Sequence, residues 1–200
     1  MAPSIADEIA AMAARLVVDE GMEYGQAKRK AARQMARRVR PGTELPSNER
    51  VEDEVRAHIE LFCADTQPAE LQELRRIAAG WLRRLAEFRP HLSGAVWRGT
   101  ATRNSSIHID LYCDDSKSAE ITLINLGIDY DVEGNDRDAE VDFLRLAEFS
   151  EALDDTVTIH LAVRDRDDQR GALKPDARGR SWRGDAAALQ RLLEAQATAS

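Results

Sequence analysis

Through the first half of the chain, apolar residues recur at three- and four-residue intervals, the spacing of one helical face. Ile5, Ile9, Met12 and Leu16 form the first such line, with Ser4 as N-cap, Asp7 and Glu8 in the first turn and Gly21 placed to end it. A second helix is expected from Tyr24 to Val39 on Ala27, Ala31, Ala32, Met35 and Ala36, before Pro41, Gly42 and Pro46 interrupt the chain. Val51, Val55, Ile59 and Phe62 mark a third, capped by Ser47 or Asn48. A fourth begins at Thr66 and carries Leu71, Leu74, Ile77, Trp81, Leu82, Leu85 and Phe88 until Pro90 stops it.

Past Pro90 the period changes. From Ser106 to Cys113 the alternation predicts a strand, Ile107 to Cys113, with Ser106, His108 and Asp110 on one face and Ile107, Ile109 and Leu111 on the other. The residues before it read as a turn with glycines at Gly94 and Gly99, where backbone can approach a ligand closely. Ser116 to Leu126 predicts a helix closed by Gly127, although Ile121 to Ile124 would also tolerate a strand. Further strands are expected at Ile128 to Val132, at about Ala139 to Leu146 and at Val157 to Val163. In the second of these, Glu140, Asp142 and Leu144 share a face; in the third, His160 lies opposite Ile159 and Leu161. Arg164 to Gly184 reads as a long polar loop, and Asp185 caps a last helix lined by Leu189, Leu192 and Leu193.

The class is therefore α+β: a helical N-terminal half followed by a small mixed sheet with flanking helices. Three parts are expected, at residues 1–46 (a helical pair with a basic second member), 47–90 (two helices packing on the core) and 91–200 (the mixed domain).

Charge narrows the partners. A net charge of −8 and a pI near 5.1 exclude a generally basic nucleic-acid binder, because phosphate neutralisation needs a surplus of Lys and Arg. The local exception is Lys28 to Arg40, where Lys28, Arg29, Lys30, Arg33, Arg37, Arg38 and Arg40 could contact nucleic acid or form a solvated face paired with acidic helices. The cations of the 164–184 loop, with Trp182, allow either a lid over an anionic ligand or a self-paired loop. Cys63 and Cys113 lack metal-ligand spacing and suit a reducing cytoplasm. No leader and no apolar run of about 18 residues is present, which predicts a cytoplasmic protein without a membrane span.

The stretch from Gly94 to Asp110 resembles the signature of the polymerase-beta-like nucleotidyltransferase superfamily: a Gly-Ser turn, a spacer, then Ser-Asp-hydrophobic-Asp-hydrophobic on a strand. Matched without gaps, Ser105 takes the place of the serine, Ser106 of the first acid and His108 of the second, while Ala95 replaces the serine after the first glycine. A shift of two residues brings Asp110 to an acidic place and leaves His108 in the other. Val141-Asp142-Phe143 is similar to the family's later element that supplies a third carboxylate; the same aspartate could equally be a solvent-facing residue at a strand edge.

The resemblance implies a nucleotidyltransferase-like fold, a nucleoside triphosphate as partner and Mg²⁺ held by Asp110 and Asp142. His108 could instead act as a general base on an acceptor hydroxyl, because an imidazole titrates near neutrality, with Gly94, Arg98, Gly99 and Ser106 around the phosphates. Mg²⁺ prefers hard oxygen ligands, so Ser106 and His108 weaken a two-metal site. The expected function is metal-assisted transfer of a nucleoside monophosphate to an unknown acceptor. The alternative is a module of the same fold that has lost catalysis and keeps nucleotide, nucleic-acid or protein binding; a third reading makes the helices a partner surface and the motif strand purely structural.

Overall fold

A computed structural model describes residues 4–35, 43–133, 142–176 and 178–199. The chain forms two compact units, Met1–Glu70 with Thr100–Ser105, and Leu71–Gly99 with Ser106–Ser200.

The first unit is helical. Ser4 caps α1 (Ile5–Glu20) in a reciprocal box with Asp7, and Gly21, at φ 65°, closes it. α2 (Tyr24–Gln34) and α3 (Asn48–Phe62, capped by Ser47) complete the unit's core. Ala10, Ala13 and Ala14 of α1 and Ala27 and Ala31 of α2 are buried, so these two helices meet through small side chains, while Val51, Val55 and Ile59 bury the face of α3. Thr102 and Asn104 return to the end of α1, where the Thr102 hydroxyl and the Asn104 amide donate to Val18 O at 3.2 Å each. A Cβ on Gly21 would overlap the Asn104 carbonyl. Gly21→Ala combines that overlap with a left-handed backbone, and chemical denaturation should show a loss of more than about 1 kcal/mol.

The expected second helix agrees with α2 as far as Gln34; Ala36 to Gly42, including Arg37, Arg38 and Arg40, lie outside the described residues. Of the basic residues before them, Lys28 donates to Pro46 O and Asn48 Oδ1, and Lys30 pairs with Glu20 at 2.5 Å.

The second unit holds a six-stranded mixed sheet in the order β3-β4-β5-β2-β1-β6. Its strands are β1 (His91–Ser93), β2 (Ile107–Cys113), β3 (Asp131–Glu133), β4 (Asp142–Ser150), β5 (Asp155–Asp165) and β6 (Arg183–Gly184). β2 and β5 run parallel, and the other neighbours are antiparallel. The α+β class read from the sequence is the observed one.

Register assigns one face to the core. Leu92, Ile109, Leu161 and Leu144 form a row across four strands, flanked by Ile107, Ile159 and Leu146. All seven are at most 3% exposed. Full burial of a side chain of this kind contributes about 1.5–3 kcal/mol, so this face anchors the sheet. α4 (Gln67–Arg84) buries Leu74, Ile77 and Trp81 and is tied to β4 by two hydrogen bonds. The Trp81 indole N–H donates to Glu148 on β4 at 2.6 Å, and the Ser150 hydroxyl donates to Glu73 at 2.7 Å.

Glu73 also accepts two 2.7 Å hydrogen bonds from Arg76, and these, against its partial burial, hold its carboxyl below the usual range. A carboxyl lowered on folding contributes stability that is complete above its unfolded pKa, about 4.3, and is lost as pH falls through the folded value. Acid titration of unfolding should therefore show a destabilising limb below that pH, flattened in Glu73→Gln.

Several elements differ from the sequence expectation. The fourth helix ends at Arg84, and a 3₁₀ turn, Ala86–Phe88, follows. The glycine turn is a strand and a short helix: β1 leads through Gly94 into α5 (Gly94–Arg98), which Gly99 ends at φ 80°. Arg75 fixes this helix by donating to the carbonyls of Val96 and Trp97. α6 (Ser116–Asn125) matches the expected helix, but the strand after it is only β3. β4 extends beyond Leu146 to Ser150; Ala139 to Val141 lie outside the described residues.

The stretch from Arg164 to Gly184 is no free loop. It begins in β5, passes through α7 (Gln169–Ala172), forms a bridge between Pro175 and Ser181 and ends in β6. The interleaved charges explain why: Asp176 accepts from the backbone of Arg178 and Arg180 and pairs with Arg98. Burial raises its carboxyl, but those backbone donors and Arg98 outweigh it and leave it below the ordinary range. Asp185 caps α8 (Ala186–Ala199), which buries Leu189.

Candidate functional site

The second face of the sheet carries the polar residues. Register aligns Arg183, Ser93, His108, His160, Arg145 and Asp131 in one row that crosses all six strands. Residues directly paired across strands share a face, so one residue type from each strand is presented side by side. Unlike the row of leucines behind it, this row is half-buried to exposed.

At its centre the rings of His108 and His160 stack, with centroids 4.9 Å apart and planes 11° from parallel. His160 Nδ1 lies 3.3 Å from Glu133 Oε2, and Arg145 contacts both Glu133 and Asp131. Gly94 matters here: its φ is 67°, and an added Cβ would stand 3.4 Å from the His108 ring. The glycine turn is thus packed against the strand it precedes. At the β3–β4 end the face opens into a cavity of about 330 Å³ lined by Asp129, Tyr130, Asp131, Arg145, Leu146, Ala147 and Thr158. That volume is at the lower end for small-molecule sites, about 300 Å³ and up.

Asp110 lies in the next row, with His91 and Ala162. It shares the face of His108, as the alternation predicts, and is only 3% exposed. Its neighbours are cationic rather than apolar. Oδ1 accepts from Arg164 Nε at 2.7 Å and Oδ2 from Arg183 Nε at 2.5 Å. A carboxylate with both oxygens engaged by guanidinium groups is held by charge-assisted hydrogen bonds.

Each of the other expected residues has a definite place. Ser106 is half-buried immediately before β2. Arg98 is buried, donating to Ser181 O, pairing with Asp176 at 3.2 Å and lying 4.0 Å over the Trp182 ring, so it ties the chain before β6 to α5. Gly99 ends α5 beside Arg75. Asp142 is paired in register with Val163, which is paired with Leu111. By alternation that position belongs to the rows of Leu144 and Leu161, whereas Asp110 belongs to the other face.

Asp110 and Asp142 stand in adjacent rows of the sheet, Asp110 paired with Ala162 and Asp142 with Val163. Among the described residues no three His, Cys, Asp or Glu side chains gather as a metal site. Two imidazoles, and a carboxylate already held by two arginines, do not fit Mg²⁺, a hard cation that needs unclaimed oxygens. His160, in the sequence a minor site candidate on the face opposite Ile159 and Leu161, is the residue that the sheet places beside His108. The parallel pairing of β2 with β5 does this across more than fifty residues of chain, beyond the reach of any local pattern. Arg164 and Arg183, read as loop cations, are strand residues of the same face.

No helix among the described residues is long and apolar enough to cross a membrane. No protein-family model and no curated protein matches the chain. Among solved structures, it is similar to the poly(U) polymerase Cid1 bound to MgGTP, with a TM-score of 0.38 and 15% identity over 53% of this chain and 38% of that one. Cid1 in complex with the UTP analogue UMPNPP gives a TM-score of 0.38 and 14% identity over 54% and 36%. Cid1 with its short product ApU gives 0.38 and 15% over 54% and 36%. This chain spans little more than a third of the length of those structures. At 14–15% identity and a TM-score of 0.38 these likenesses assign neither family nor activity to the chain, whose stretch from Gly94 to Asp110 departs at Ser106 and His108 from the signature it resembles.

Proposed function

We propose that this chain is a nucleotidyltransferase-like protein that binds a nucleotide on the polar face of its sheet without the carboxylate clamp for Mg²⁺. The observation that carries the reading is the row Arg183, Ser93, His108, His160 and Arg145, open to a cavity at its β3–β4 end and flanked by Arg164. Arginines suit phosphate oxygens because a planar guanidinium offers paired donors. The stacked imidazoles supply a flat surface next to them. Gly94 and Ser106, at the two ends of the stretch leading into β2, remain in this reading as residues beside the ligand.

Metal-assisted transfer of a nucleoside monophosphate is the second reading. What favours it is His108, which lies on the half-open row where an imidazole can take a proton from an acceptor hydroxyl. Against it stands the donor set around Asp110, which lacks the paired oxygens that a two-metal displacement requires.

Incubation with each α-labelled nucleoside triphosphate and Mg²⁺ or Mn²⁺, followed by native and denaturing separation, distinguishes the two. The proposal expects label retained under native conditions and released on denaturation, with none transferred to an acceptor. Covalent transfer that requires the metal and disappears in Asp110→Ala would establish the second reading, and no retention in any form removes the first. The basic segment from Lys28 is a separate proposal for nucleic acid. Titration with DNA and RNA at two salt concentrations tests it, since phosphate contacts lose affinity steeply with salt.

A further inference from the structure

Asp110 is an anion built into an arginine pair. Its two oxygens are met by two guanidinium groups brought from opposite sides, Arg164 from β5 and Arg183 from β6, although these strands are separated by β2 and β1. The carboxylate side chain is 5% exposed, while each arginine side chain is 27% exposed. The cations therefore reach further toward solvent than the anion they share. Each meets Asp110 through Nε, one of five N–H donors on a guanidinium.

A third group faces the same place. Tyr112 follows Asp110 on the same face and is paired in register with Arg164. The residue is 2% exposed, and its hydroxyl is buried with no hydrogen-bond partner among the described residues. A buried hydroxyl without a partner is destabilising, and a ligand oxygen reaching it would relieve that. Burial, followed by the charge of Asp110, holds its proton more tightly, and Arg183 and Arg164 act in the opposite direction, so the phenol stands in the field of all three. A phenol kept protonated is a donor, and a donor beside two guanidinium groups selects an anion with several acceptor oxygens.

We infer that Arg164, Arg183 and the Tyr112 hydroxyl form a binding site for a phosphate or pyrophosphate group, and that Asp110 is its internal competitor, holding the two arginines in place until the ligand's oxygens share or replace it. The inference rests on the nucleotide reading only for what carries the phosphate. It gives Asp110 a role of opposite sign to that of a metal ligand: neutralising it should strengthen the ligand's hold.

The test is calorimetric titration of the whole chain with inorganic pyrophosphate, and separately with ATP, in EDTA at matched ionic strength. Parent, Asp110→Asn, Arg183→Gln and Tyr112→Phe are compared. Asp110→Asn keeps the shape and one acceptor oxygen while removing the competing charge, and should bind pyrophosphate at least about tenfold more tightly, a difference of about 1.4 kcal/mol. Arg183→Gln should bind about tenfold more weakly, and Tyr112→Phe several-fold more weakly, as for loss of one charge-assisted and one neutral hydrogen bond.

Tyr112→Phe removes only one buried oxygen, so it keeps the inference open to refutation should either charge variant fail to fold. Unchanged affinity in Tyr112→Phe, or weaker pyrophosphate binding by folded Asp110→Asn, overturns the site. If ATP binds but none of the three variants alters its affinity, the nucleotide reading stands and this inference falls. If pyrophosphate responds as stated while ATP binds no more tightly than pyrophosphate, the anion site stands and the nucleoside part of the function is lost.

Discussion

Asp110→Ala is expected to lower stability by about 3 kcal/mol, the lower end of the range for removing one partner from a buried ionic group. The lower end applies because Arg164 and Arg183 keep about a quarter of their side-chain surface in water and can rehydrate in part. Urea unfolding of parent and variant measures the loss. The same experiment in the presence of pyrophosphate should restore much of it, since an added anion meets the two cations left behind. A variant as stable as the parent would mean that the two short hydrogen bonds contribute little, and that Asp110 is available for other chemistry.

Arg75→Met should cost about 2–4 kcal/mol, because two carbonyls lose their donor at once. Arg75 is 6% exposed and donates to Val96 O at 3.1 Å and Trp97 O at 3.2 Å. These are carbonyls at the C-terminal end of α5, a five-residue helix too short to hold its own shape. Burial lowers the guanidinium pKa, yet the group remains a cation in a place where its charge meets carbonyl dipoles. Arg75→Lys should recover little of the loss, since an ammonium cannot span two carbonyls in the same plane. The effect reaches the candidate site through Gly94, which begins the helix and packs on the His108 ring. Ligand affinity should therefore fall together with stability, which separates this residue from one that only packs.

The helical elements were legible because their signals are local. Ser4 with Asp7, the apolar line of α1 and Gly21 occur within a single stretch, and each reappears in the structure as cap, buried face and left-handed end. The motif strand was equally plain, since alternation over seven residues decides both its limits and its faces. What could not be read was pairing. β1 and β6 are three and two residues long, too short for any period, and exist because β2 and β1 offer them an edge.

The site depended on those pairings. His108 and Asp110 were legible as one face, but their partners His160, Arg164 and Arg183 arrive from strands fixed by register alone. The 164–184 stretch was legible in part: interleaved Arg and Asp predict self-pairing, which Asp176 and Arg180 make at 3.3 Å, while the contacts of Arg98 with Asp176 and Trp182, set by tertiary packing, fasten the chain down. Asp142 stands opposite Val163 on β5, a pairing that its hydrophobic-Asp-hydrophobic setting does not foretell.

The central claim is that this sheet face holds a nucleotide through arginine and imidazole groups rather than through metal. Titration of ATP into the whole chain, once with excess Mg²⁺ and once with EDTA, tests it directly. Binding in EDTA at least as tight as in Mg²⁺ is the predicted result, because the metal would only mask phosphate charge from Arg164 and Arg183. Binding that appears only when Mg²⁺ is added would contradict the account.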